Sequence, residues 1–253
     1  MPARWSTRFE IKPGRWVFVP TNEVVNEGRE LKAAIEQIWT APEYYFHLRP
    51  GGHVAALKEH IASDVFLHLD IEDFFGSISA NRISRALKGR VGYLTAREWA
   101  TKSVVRHPSD PKKTILPFGF VQSQILASLV LHDTALGRRI HALSKRPEFV
   151  VTVYVDDILI SCPDVEAATV VAEDLKNVAG RSNFVLNAKK TEGPASTVTA
   201  FNVVLAKHSL AISEVRMNAF KAVLETTTSP RQRDGILRYI AQVNAIQAEE
   251  ASS

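Results

Sequence analysis

Apolar and polar positions along the chain switch between two periods. In "DVFLHLD", Asp64 to Asp70, Val65, Leu67 and Leu69 recur at every second position, which predicts a strand ending in an acid. "EFVVTVYV" and "ILISC" are denser apolar runs and predict two further strands. Asp156 and Asp157 lie between them at a tight hairpin tip. "FVLNAKKT" predicts a strand leading into a turn, and Ser196 to Ser213 a β-hairpin.

Helical spacing marks Glu30–Trp39 and, after the Gly51-Gly52 turn, His53–Ser63. "SANRISRALKGR" and "TAREWATKSVVRH" predict helices capped by Ser79 and Thr95. One long apolar helix is expected over Gln122–Lys145. An amphipathic helix over Asp164–Gly180 would be C-capped by Gly180. His107–Phe120, with its Pro and Gly, predicts a loop. From Glu214 two helices, Glu214–Glu225 and Arg231–Glu249, flank "TTTSP", and "QAEEASS" looks frayed. Strands and helices do not alternate as strict βαβ units. The expected class is α+β, an antiparallel sheet with helices on one face and a helical appendage from about Glu214.

Composition narrows this only a little. The 253 residues, 45% hydrophobic, suffice for a substantial core, and a net charge of +4 permits a nucleic-acid partner without requiring one. The single cysteine, Cys162, sits in an apolar run, as a buried inert thiol would, and fits a reducing compartment. With no apolar run long enough to span a bilayer and no apolar signal core, a cytoplasmic protein with no membrane contact is expected.

The adjacent aspartates are the anomaly. Two carboxylates side by side repel, and each disfavours the other's ionisation. If the strand ending at Asp70 pairs with the one that starts after Asp156, three carboxylates converge at one sheet edge. A divalent cation there would offset the repulsion, and Mg²⁺ suits a few carboxylates plus substrate phosphates. The plain alternative is a polar turn, since Asp is common in turns.

"YVDD" within "VTVYVDDILIS", preceded by "FLHLDIEDFFGSIS", resembles the reverse transcriptase family. The family's other blocks follow in order: "LPFGFVQSQILASLVL", "FVLNAKKTEG", "VTAFNVVL" and "ISEVRMNAFKAVLE" with "GILRYIAQVNAI". The likeness covers roughly Tyr44 to Ile246. "GGHVAALKEH…DIEDFFGSI" is most similar to bacterial enzymes of the retron and phage-defence kind.

The resemblance implies a polymerase right hand, with fingers and palm over 1–213 and a short helical thumb over 214–253. It implies RNA-directed addition of deoxynucleotides to a primer. Asp70, Asp156 and Asp157, with the Ile71 carbonyl, would hold two Mg²⁺ ions, Mn²⁺ being an alternative. Lys190 would protonate the leaving pyrophosphate; by itself Lys189-Lys190 reads as a solvated turn. Phe75 falls at the steric-gate position, with Phe74 next in line. Gly119 would leave room for the nascent base pair. Gln122 and Ser123 would start the helix beneath the template, and Tyr154 belongs to the template–primer side.

Two departures stand out: Phe118 where the family usually has Gln, and Gln124 where it usually has Pro. Ala200 replaces a glycine of the retron "VTG" triplet. No clear basic triphosphate motif stands in the fingers, and Arg49 and Lys58 are the candidates for that task. Arg138-Arg139, Arg231, Arg233 and Arg238 read equally as solvated faces or phosphate contacts. Expected partners are dNTPs, an RNA template (a dedicated non-coding RNA among the candidates), the DNA product, and a second copy or accessory protein, in an antiphage setting. The competing readings are an RNA-binding scaffold on an inactive polymerase fold, template-independent DNA synthesis by the same site, and a nucleotide cyclase. "YVDD" lacks the glycines of a cyclase hairpin.

Overall fold

The computed structural model describes residues 4–252. In chain order its elements are β1 (Trp5–Lys12), β2 (Arg15–Pro20), α1 (Asn22–Ile38), α2 (Gly52–His60), β3 (Val65–Asp70), α3 (Ala80–Val91), α4 (Tyr93–Ser103), β4 (Val105–His107), β5 (Asp110–Ile115), α5 (Ser123–His132), α6 (Ala135–Leu143), β6 (Val150–Tyr154), β7 (Asp157–Cys162), α7 (Val165–Arg181), β8 (Glu192–Ala195), β9 (Thr197–Ala200), β10 (Val203–Ala206), β11 (Ser209–Ile212), α8 (Glu214–Thr226), α9 (Pro230–Val243) and α10 (Ala245–Ser252).

An antiparallel sheet, β6-β7-β3-β8, is the middle layer. Alternation along β3 assigns its two faces. Val65, Leu67 and Leu69 join the larger core, with residues of α3, α5, α6 and α7. Phe66 joins a second core with Leu159, residues of α2 and of the β11-β10-β9 sheet, and Met217, Phe220 and Ile240 from α8 and α9. All six residues of β3 are buried. The predicted one-faced alternation therefore describes one side of a strand covered on both, which corrects the expectation of helices on a single face.

Several other expectations are corrected. The helix expected over Gln122–Lys145 is two, because Thr134 caps α6 by accepting from the Gly137 N–H at 3.2 Å. Backbone approaches so closely there that a Cβ on Gly137 would collide with the Leu131 carbonyl. Thr95 lies inside α4, whose N-cap is Gly92. The segment from Val105 to Ile115 is a hairpin, not helix end and loop. Its second strand, "DPKKTI", is exposed over four positions, so no apolar alternation marks it. The β1–β2 hairpin went unpredicted for the same reason: β1 is exposed along nearly its whole length. Helix α1 starts at Asn22, capped by Thr21, well before Glu30. Gly180 lies within α7, whose C-cap is Ser182. The 196–213 segment is three strands rather than two. "FVLNAKKT" makes only the single bridge Ile71↔Leu186 before turning. The second C-terminal helix breaks at Asn244, and the tail is helical as far as Ser252.

Candidate active site

The register of β3 against β7 sets Asp70 directly opposite Asp157, and Tyr154 pairs with Asp157 from the other side. Val155 and Asp156 are thus the two turn residues of the β6–β7 hairpin. Ligand oxygens of Asp70, Asp156 and Asp157 lie within 4.8 Å of one another. This is the convergence that the strand pattern allowed.

The turn is held in a costly conformation. Val155, a β-branched residue, has φ +60°. His47 anchors it by accepting the Val155 N–H at Nδ1, 2.9 Å, while its Nε2 meets Ser128 Oγ at 2.6 Å. On the other side the Asp156 carbonyl accepts the Ile71 N–H at 2.9 Å. Burial, then the charges of Asp157 and Asp70, push the Asp156 carboxyl up to about 6, with Arg15 opposing them.

Two cations or donors meet the other acids. Lys190 Nζ donates to Asp70 Oδ2 at 2.6 Å, and Asp70 is 2% exposed. Partial burial works to lower the Lys190 pKa. The bond to Asp70 and the field of all three acids outweigh it, and the pKa is raised. The lysine is delivered by a turn in which Asn187 Oδ1 accepts the Lys189 N–H at 3.1 Å and the Asn187 carbonyl accepts the Lys190 and Thr191 N–H groups. The Asn187 N–H is itself bonded to the Asp70 carbonyl at 2.8 Å. His68 Nε2 donates to Asp157 Oδ1 at 2.7 Å, and its Nδ1 is buried without a partner.

Beside the acids stands an aromatic wall. Phe75, 4% exposed, stacks on Phe74 and meets Phe118 edge-on at 4.5 Å between ring centres. The guanidinium of Arg15 lies over the Phe118 ring at 4.4 Å. Gly119 has φ +102°, and a Cβ on it would collide with the Phe18 carbonyl. The close approach it permits is that of β2, whose Phe18 N–H donates to the Phe118 carbonyl at 3.0 Å. Arg15 is the residue that the sequence reading missed. The signal was "KPGRW", a Pro-Gly turn between aromatic strands, which puts basic side chains at a hairpin tip.

Other expected residues are placed differently. Arg49 donates to the Glu43 carbonyl at 2.8 Å, covers the Phe46 ring and lines a cavity of about 330 Å³ with His47 and Gln124. Lys58 is exposed on α2, next to Leu57, which packs into the second core. Arg15, from the β1–β2 hairpin, is a cation whose charge reaches Asp156. Gln122 and Ser123 do precede and open α5, but both side chains are buried. Ser123 Oγ donates to the Pro117 carbonyl at 2.7 Å, and Gln122 packs on Gly28 with its Oε1 unpartnered. They anchor the helix from inside, and Gln124 is the exposed side chain there. Tyr154 sits half-buried among His47, His53 and Phe201. Arg139 pairs with Asp174 and Arg233 donates to the Leu224 carbonyl, whereas Arg231 and Arg238 are exposed. No helix among the described residues is long and apolar enough to cross a membrane.

A family profile described as reverse transcriptase (RNA-dependent DNA polymerase) matches residues 23–208. Among curated proteins the chain is similar to the retron Ec86 reverse transcriptase of Escherichia coli, 23% identical over 214 residues, covering 82% of this chain and 63% of that protein. It is also similar to the retron Mx65 reverse transcriptase of Myxococcus xanthus, 29% identical over 216 residues, covering 75% of this chain and 49% of that protein. The chain thus spans about half to just under two thirds of the length of these relatives. Among solved structures, telomerase from Candida albicans in complex with a telomeric RNA fragment superposes with a TM-score of 0.55 at 9% identity, over 94% of this chain and 53% of that one. A foamy viral protease-reverse transcriptase in complex with an RNA/DNA hybrid gives 0.52 at 15% identity, over 96% and 29%. These two likenesses establish the right-hand polymerase fold.

Proposed function

The chain belongs to the reverse transcriptase family, and on that premise we propose that it is an RNA-directed DNA polymerase that extends a primer with deoxynucleotides. The observation that carries this reading is the meeting of Asp70, Asp156 and Asp157 at the end of β3 and β7, with Lys190 beside them.

The donor set fits Mg²⁺: three carboxylates supply hard oxygen ligands, and the Asp156 carboxyl, raised by burial and then by the neighbouring acids, carries a charge that a divalent cation would offset. Asp70, Asp156 and Asp157 would hold two such ions, with the Ile71 carbonyl as a further ligand and Mn²⁺ as an alternative. Bound there, such ions would supply activation of the primer hydroxyl and neutralisation of the triphosphate charge.

The chain's own groups supply the rest. Lys190, protonated at neutral pH, holds a proton next to the acids for the leaving pyrophosphate. Arg15 brings a cation from the β1–β2 hairpin to the triphosphate side. The Phe75 ring, braced by Phe74 and Phe118, excludes a ribose 2′-hydroxyl. The β1–β2 hairpin belongs to the fingers and the central sheet to the palm. Residues 214–253 form the thumb, tied to the palm by the hydrogen bond of Tyr239 to His53, 3.0 Å. That bond and the ring of Phe220 engage Tyr239 within the chain. Ile246, and Val215 on α8, are exposed and offer apolar surface to a second copy or accessory protein. A dedicated RNA template and an antiphage setting rest on the sequence resemblance alone.

The test is extension of a primed RNA with labelled dNTPs and Mg²⁺, with template-free and dNTP-free controls. Extended DNA and released pyrophosphate that need the template support the reading. Binding without turnover would make the chain a scaffold, and product without template would make it a terminal polymerase.

A further inference from the structure

A second concentration of charge lies in the layer across the central sheet from the acids. Asp70 and His68 share the β3 face of Phe66, whereas Leu67 and Leu69 point into the larger core. Over that core, between α3, the start of α6 and the end of α7, opens a cavity of about 460 Å³ floored by Ala86 and Val130.

Four guanidinium groups line it: Arg82, Arg85, Arg138 and Arg181. Its one carboxylate, Asp133, is already taken by Arg90 through two hydrogen bonds of 2.6 and 2.9 Å. Arg82 is fixed by the carbonyls of Ser77, Asn183 and Ser182 and by the Phe184 ring. Arg138 donates to the Asp133 carbonyl at 2.8 Å. Arg85, Arg138 and Arg181 are exposed, and none has a carboxylate partner among the described residues. Burial, and after it the charge of the neighbouring Arg85, lowers the Arg82 pKa.

The cavity does not end at Arg82. A second one, of about 740 Å³, shares Arg82 and Asn183 with it and adds Lys112 and Lys113 from β5. Its acids are Glu72 and Asp73, and Asp73 pairs with Lys113 at 3.3 Å. Glu72 and Asp73 follow Asp70 by two and three residues, so this basic track leads from the far layer to the edge of the active site. No aromatic ring lines either cavity, so nothing there stacks on a base. Guanidinium groups without stacking rings recognise phosphate and leave sequence unread.

We propose that these joined cavities bind the phosphodiester backbone of an RNA strand, the part of the RNA partner that extends beyond the active-site cleft. The proposal rests on the nucleic-acid reading above and adds where that RNA runs.

The experiment compares wild type with the triple variant R85A/R138A/R181A, which alters only exposed side chains, and with R85K/R138K/R181K, which keeps the charge. Anisotropy measures binding of a primed RNA with a long unpaired extension and of a short, nearly blunt primer–template, each across a salt series. The alanine variant is expected to lose about tenfold or more in affinity for the extended RNA, and its log–log salt slope to fall by about 2. The blunt substrate should bind and be extended as by wild type, and the lysine variant should keep most of the affinity. Unchanged affinity and slope on the extended RNA overturn the proposal. So does a variant that loses tripolyphosphate binding but not RNA binding, since the cavity would then serve a free polyphosphate. If the wild type extends neither substrate while the slope still falls, the proposal stands and the polymerase reading fails.

Discussion

Replacing Asp156 by Asn should stabilise the metal-free protein while abolishing synthesis. The Asp156 carboxyl titrates at about 6 in the fold against 3.8 ordinarily, because burial and two neighbouring carboxylates oppose its charge. A folded-state value above the unfolded one means that ionisation costs the fold. The penalty is complete above about pH 6, shrinks as pH falls towards 3.8, and is gone below that. At about 1.4 kcal/mol for each tenfold change, the full penalty is about 3 kcal/mol, and solvent reaching the half-buried side chain reduces it to about 1–3 kcal/mol. Urea unfolding in a chelator reads this directly. At about pH 8 the Asn variant should exceed wild type by that amount, and by about pH 4 the gap should close. Added Mg²⁺ should raise wild-type stability and leave the variant nearly unmoved, since a ligand stabilises only the state that binds it. A variant no more stable than wild type at high pH would refute the electrostatic account. One that still extends primed RNA at near wild-type rate would refute the metal site.

Phe75→Val should raise ribonucleotide use relative to deoxynucleotide use by roughly ten- to several-hundred-fold; unchanged sugar discrimination in single-nucleotide kinetics would move the gate to Phe74. Arg15→Ala removes the one cation reaching Asp156 from the hairpin and should raise the dNTP KM by about tenfold or more, whereas a KM within about twofold of wild type would leave the triphosphate to other residues. Gly119→Ala puts a methyl group against the Phe18 carbonyl at a positive φ and should cost about 1–3 kcal/mol. Hydrogen exchange of the Phe18 amide, bonded to Phe118, should lose protection; retained protection would show that the hairpin docks by other contacts.

What could be read from the sequence follows from where each signal is stored. The three acids sit at the ends of strands buried on one or both faces, and dense apolar runs fix strand type and phase together, so their convergence follows from the sequence once the two strands are paired. Lys190 was marked only by the family resemblance of its N-x-x-K-T block, since by itself the lysine pair reads as a solvated turn; the structure shows that Asn187 organises that turn. Arg15 and the β1–β2 hairpin were not legible. The hairpin docks through the buried Phe18, with Trp5 and Trp16 beside it, and through the backbone bond of Phe18 to Phe118, while β1 stays exposed along nearly its whole length, so no periodic stripe betrays it. The inward turn of Gln122 and Ser123 was equally hidden, because a polar side chain gives no sign of burial when its partners are a carbonyl at Pro117 and the bare backbone of Gly28. The break at Asp133-Thr134 was visible in principle, Thr being a good N-cap, but an unbroken apolar run on both sides masked it.

The pair of aspartates is tolerable because the surroundings treat its members differently. Asp157 lies within β7 and has the His68 donor; Asp156 stands at the turn and keeps the raised pKa. The strain at Val155 is what separates them, since its left-handed backbone lets Asp157 rejoin the ladder while Asp156 stays on the tip. That strain persists only because neighbours over-determine it. His47 holds the Val155 amide, Ile71 holds the Asp156 carbonyl, and the Tyr154 ring is wedged among His47, His53 and Phe201. His53 in turn bonds Tyr239 of α9. The same rings that brace the acidic turn thus meet the C-terminal helices, and a shift of α9 would pass through His53 to Tyr154. Tyrosine in "YVDD" is accordingly a structural partner of the chemistry, one residue removed from the strained valine and two from the acid whose charge the site must balance.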